Sequence, residues 1–91
     1  MKKFIIERDI PGLGKLSAAE LEAISRKSND VLEKMDTPYH WVESYVTGDK
    51  MYCVHIAPDE KTVREHAQRG EFPVTRIVEV LSRIDPTTTG D

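Results

Sequence analysis

The sequence predicts an α+β domain in which two helices alternate with four strands. Three observations carry that reading. A capping box opens a long amphipathic helix at Ser17. Two aromatic, β-branched runs, Tyr39–Val46 and Lys50–Ile56, flank a tight Thr47–Gly48–Asp49 turn. Two further β-rich runs, at Lys3–Arg8 and Ile77–Ile84, stand near the ends of the chain.

Lys3–Arg8 (KFIIER) gives the first strand, and Asp9–Ile10–Pro11–Gly12–Leu13–Gly14 breaks it. The Gly12-x-Gly14 pair lacks the third glycine and the acidic partner of a phosphate loop. In Ser17–Ala18–Ala19–Glu20, the Ser17 hydroxyl accepts from the Glu20 amide and Glu20 reaches back to the Ser17 amide. Leu16 and Leu21 have hydrophobic-staple spacing. Leu21, Ile24, Val31, Leu32 and Met35 then recur on one helical face. The helix is expected to end near Met35, because Pro38 pushes the residue before it out of the α region. After the hairpin, Ala57–Pro58–Asp59 opens a second helix of about ten residues. Its apolar face carries Val63, His66, Ala67 and Gly70, with Gly70 as the expected C-cap. Asp59 to Arg69 otherwise reads as a solvated face with Glu–Arg pairs at helical spacing. The last strand ends before Pro86, and Thr87–Asp91 form a flexible tail to a single domain of residues 1–86.

The order β-α-β-β-α-β implies a ferredoxin-like sandwich: a four-stranded antiparallel sheet with both helices on one face. The other face lacks a cover. A chain of 91 residues buries only roughly 60–65% of its unfolded surface, so a homodimer of the α+β-barrel type is expected to cover that face.

Charge and composition exclude several classes. The 13 Lys and Arg are interspersed with 16 Asp and Glu for a net charge of −3, which excludes a basic stripe for nucleic acid. No segment has the length of a transmembrane helix. The apolar run after Lys2–Lys3 stops at Ile6, too short for a signal peptide. Cys53 is the single cysteine, consistent with a reducing, cytoplasmic setting.

The hairpin register sorts the candidate residues. With Gly48–Asp49 as the turn, Val46 opposes Met51, Ser44 opposes Cys53 and Val42 opposes His55. One face then carries His40, Val42, Ser44, Val46, Met51, Cys53 and His55, and the other Trp41, Glu43, Tyr45, Tyr52, Val54 and Ile56. The first face holds His40, Cys53 and His55; if it is the face that packs under the helices, His66 from the second helix joins them in a donor set for Ni²⁺ or Zn²⁺. The competing reading makes Cys53 a small buried hydrophobe, His66 a hydrogen-bonded core histidine and His40 a solvated one. On the second face, Trp41, Tyr45 and Tyr52 surround Glu43. They are either the wall of a ligand pocket with a desolvated carboxylate, or a dimer contact in which Glu43 pairs with Arg8 or Arg83. No nucleophile–base pairing is visible.

Trp41–Val42–Glu43–Ser44–Tyr45–Val46, Tyr52–Cys53–Val54–His55–Ile56–Ala57–Pro58, Arg64–Glu65–His66–Ala67 and Gly70–Glu71–Phe72–Pro73 resemble the small bacterial nickel-binding domain proteins. Phe4–Ile5–Ile6–Glu7–Arg8 and Ile84–Asp85–Pro86 fit as well. The resemblance implies a ferredoxin-like homodimer that binds Ni²⁺ at its surface, with a role in sequestering nickel. It carries over to His66. Family members often have histidine where this chain has Glu43, which would substitute a harder oxygen ligand. The expectations are therefore a metal-binding homodimer, a small-ligand protein or cofactor-light enzyme built around Glu43, Tyr45 and Tyr52, or an interaction module.

Overall fold

The computed structural model describes residues 1–90; Asp91, the end of the expected tail, lies outside the described residues. The elements are Lys2–Asp9 (β1), Ala18–Lys34 (α1), His40–Val46 (β2), Lys50–Ala57 (β3), Glu60–Gly70 (α2) and Arg76–Val80 (β4), with short 3-10 turns at Leu13–Lys15 and Pro86–Thr89. The sheet order is β2-β3-β1-β4, antiparallel at every pairing, as a ferredoxin-like α+β fold requires.

Local chemistry sets the helix ends. Both arms of the capping box form: Glu20 N donates to Ser17 Oγ and Ser17 N to Glu20 Oε1, each at 3.1 Å. Asp59 caps α2 through Thr62 N at 2.8 Å. The left-handed residue that closes α2 is Glu71 (φ 56°), not Gly70. Gly70 is the last helical residue and is buried under Phe72. A Cβ there would lie 2.2 Å from the ring, so the glycine answers to close approach rather than to backbone conformation. On the solvent side of α2, Arg64 pairs with Glu60 and Arg69 with Glu65.

Alternation along β1 buries Phe4, Ile6 and Arg8 under the helices. They meet the same-facing residues of β3: Phe4 opposes His55, Ile6 opposes Cys53 and Arg8 opposes Met51. Leu13 and Val63 complete this core. β4 is shorter than the expected Ile77–Ile84 strand. Its pairing ends at Val80, opposite Lys3, where β1 has almost run out. Leu81 and Ile84 lie beyond the ladder and are exposed.

The hairpin turn falls where expected, with Val46 opposite Met51 and Ser44 opposite Cys53. The pairing then shifts between Trp41 and Glu43, and Trp41, not Val42, stands opposite His55. This bulge inserts one residue and flips the parity of everything before it. Trp41 thus turns to the helix-covered side, and His40 opposes Ile56 on the open side.

Candidate functional site

The two sheet faces hold two different arrangements. Under the helices, a partly open cavity of about 130 Å³ lies between α1, α2 and the sheet. His55 from β3 and His66 from α2 meet at its inner end, with ring centroids 5.3 Å apart. Tyr39 packs against both, each at 5.2 Å. The alternation of β3 brings His55 inward, and the apolar face of α2 brings His66.

Both rings are held neutral. Burial, then the charges of His66 and Arg8, pushes His55 from 6.5 to about 3. Burial and Arg8 push His66 to about 4, against an opposing hydrogen bond from Ser28. The Tyr39 hydroxyl and His55 Nδ1 share a hydrogen bond of 2.5 Å. Burial raises the Tyr39 pKa, so the phenol keeps its proton. The phenol donates to Nδ1 when His55 carries its hydrogen on Nε2, and accepts from Nδ1–H in the other tautomer. His66 Nε2 bonds Ser28 Oγ at 3.2 Å, while Nδ1 is buried with no partner among the described residues.

Arg8 is the charged group of this cavity and only 3% exposed. Its Nε points at Cys53 Sγ (3.4 Å), its Nη1 donates to the Pro73 carbonyl (2.8 Å), and its guanidinium lies 5.5 Å from the centre of the Phe72 ring. Arg8 entered the sequence expectations only as a partner for Glu43, although alternation sets it on the same face of β1 as Phe4 and Ile6. Ser28 did not enter them at all. Its spacing with Leu21, Ile24, Val31 and Met35 sets it on the inner face of α1.

Of the expected metal residues, the fold brings together His55, His66 and, two residues along β3, Cys53. His40 is not among them. The bulge carries it to the open face, where it is solvent-exposed. Among the described residues, no three His, Cys, Asp or Glu side chains converge as a metal-binding group. Of the expected pocket residues, Glu43, Tyr45 and Tyr52 share the open face, whereas Trp41 lines the cavity on the opposite side and donates from Nε1 to Ser44 Oγ (3.0 Å). The expected pairing of Glu43 with Arg8 or Arg83 does not occur. Arg8 lies on the other face of the sheet and Arg83 pairs with Asp85, while Glu43 accepts from the Tyr45 hydroxyl.

The bulge has a second effect. His40 opposes Ile56 and Glu43 opposes Val54, so the two are neighbours on the same face of one edge strand. An imidazole and a carboxylate thus stand side by side, roughly 7 Å apart along the strand, on a face that also presents Ile5, Val54, Ile56 and Val78.

Together these features define the class: a ferredoxin-like α+β unit with a polar-centred cavity under its helices and an uncovered sheet face. The family model described as nickel responsive protein SCO4226-like matches residues 4–80, and the chain belongs to that family. The crystal structure of SCO4226 from Streptomyces coelicolor A3(2) is similar in fold, with a TM-score of 0.76 at 16% identity, covering 90% of this chain and 99% of that one. No curated protein matches. Among the described residues, no helix is long and apolar enough to cross a membrane.

Proposed function

We propose that this chain is a cytoplasmic nickel-binding homodimer that sequesters or senses the ion, and that His40 and Glu43 of the open sheet face are its metal ligands. The observation that carries the reading is their juxtaposition by the β2 bulge. Both are exposed, so neither has to be stripped of water before the ion arrives. Imidazole nitrogen and carboxylate oxygen suit Ni²⁺ and, as an alternative, Zn²⁺. Two ligands make half a site, and a second copy packed on the same face supplies the rest.

The apolar character of that face supports the dimer. Ile5 is 37% and Val78 36% exposed, in a row with Val54 and Ile56. The molecule's shortest extent is 20 Å, the depth of one helix layer on one sheet, which leaves the apolar open face for a second copy to cover. The His55–His66 pair is the weaker candidate. Arg8, whose charge already disfavours protonation of both rings, disfavours a dication there for the same reason.

Calorimetric titration with Ni²⁺ and Zn²⁺ tests the assignment. His40→Ala and Glu43→Gln are expected to weaken nickel binding by at least about tenfold each, roughly the loss of one charge-assisted ligand. His55→Ala combined with His66→Ala is expected to leave it within about threefold. The opposite ranking would move the metal to the buried pair.

A further inference from the structure

We propose that the cavity beneath the helices is a binding site for a small organic carboxylate with an apolar body, with Arg8 as its counter-ion. The site is distinct from the nickel ligands and on the other side of the sheet.

The cavity holds an unbalanced charge, Arg8. A guanidinium is a permanent cation, and a buried cation is ordinarily paired with an anion. Arg8 is 3% exposed, yet among the described residues no carboxylate forms an ion pair with it, and no acidic side chain lines the cavity. Its partners are a thiol, a carbonyl and an aromatic face. None of these carries a neutralising charge. Among the described residues its Nη2 makes no hydrogen bond.

Other donors are available in the same cavity. His55 meets Tyr39 through Nδ1, and among the described residues its Nε2 has no partner, so in the Nε2–H tautomer that hydrogen is free to donate. Ser44 Oγ accepts from Trp41 and retains its own hydrogen to donate. A guanidinium, an imidazole N–H and a hydroxyl, with no competing acid, form a donor set for a carboxylate. His66 Nδ1, buried without a partner among the described residues, is a further unsatisfied atom in the wall.

The remaining lining selects the body of the ligand. Leu21, Ile24, Trp41, Met51 and Phe72 present apolar surface around the polar centre. A volume of about 130 Å³ is close to the roughly 150 Å³ that holds a benzene ring, so the partly open cavity suits a body of about one aromatic ring, as in phenylacetate. An apolar enclosure with a few convergent polar groups is the usual form of a small-molecule site.

Trp41 is the single tryptophan and lines the cavity, so its fluorescence reports occupancy. Phenylacetate is expected to change that fluorescence saturably, and its neutral isostere phenylacetamide to bind at least about tenfold more weakly. Arg8→Met is expected to lose the same factor for the acid while leaving the amide unchanged. Equal binding of acid and amide would overturn the proposal. So would undiminished binding by a folded Arg8→Met protein, or no saturable change up to on the order of 10 mM. If Arg8→Met fails to fold, the acid–amide comparison on the unaltered protein decides alone. Displacement of phenylacetate by inorganic phosphate at comparable concentration would show a general anion site and refute the apolar-body specificity.

Discussion

His55 and His66 are 2% and 1% exposed, and their proton affinities tie the stability of the molecule to pH. Each has a native pKa, about 3 and about 4, well below the 6.5 of an unhindered histidine. The unfolded chain therefore takes up protons that the native state refuses. Stability is complete above about pH 6.5 and is lost as pH falls towards the native values, by roughly 1 kcal/mol per histidine per pH unit. The carboxylates whose pKa is lowered, Asp9, Asp59 and Asp85, act in the same direction but only at lower pH. Urea unfolding at pH 7.5 and pH 5 checks this. The midpoint is expected to fall clearly at pH 5, and His55→Gln with His66→Gln should flatten the dependence. A midpoint unchanged between the two pH values in the unaltered protein would contradict it. The apolar spacing of Val63, His66 and Ala67 made the inward placement of His66 legible, whereas strand parity set Cys53 and His55 on one face without deciding that the helices cover it. The third partner, Tyr39, was not legible, because regular alternation through the expected Tyr39–Val46 strand sets it on the face opposite His40 and His55, and the bulge reverses that parity.

Elements followed local chemistry where that chemistry was strong. The Ser17–Glu20 box, the Leu16–Leu21 staple and the Thr47–Asp49 turn marked their boundaries within a residue or so. The end of α2 followed a weaker rule. Gly70 looked like the cap because glycine usually takes the left-handed position, but Phe72 needs the space a side chain at 70 would fill, and Glu71 takes φ 56° instead. A non-glycine residue in that conformation costs up to about 1 kcal/mol. Glu71→Gly is therefore expected to raise stability by roughly 0.5–1 kcal/mol, seen as a higher urea midpoint with unchanged slope. A lower midpoint would mean that the Glu71 side chain contributes more than its backbone costs. The β2 bulge was illegible for a different reason. Trp41, Val42 and Glu43 contain no glycine or proline to mark it, and regular alternation fits the same residues. One inserted residue separated His40 from Cys53 and His55 and set it beside Glu43, so the candidate site changed although the strand itself was correctly read.

At the scale of the whole molecule, the fold follows from element order alone: with six elements in βαββαβ sequence, the helices cover one face of the sheet and leave the other bare. The two faces divide the labour proposed here, with an anion-binding cavity under the helices and a metal half-site on the uncovered side. The proposal that nickel and dimerisation belong to one surface makes them interdependent. A charge placed in that surface, as in Val54→Lys, is expected to yield monomers and to weaken nickel binding at the same time, because it neighbours Glu43 across the strand pair. Native mass spectrometry of the unaltered protein with a small excess of Ni²⁺ reads both properties in one spectrum. The account predicts a dominant species of two chains carrying nickel, with the single-chain species metal-free. Nickel held by single chains, or a two-chain species that remains metal-free, would contradict it.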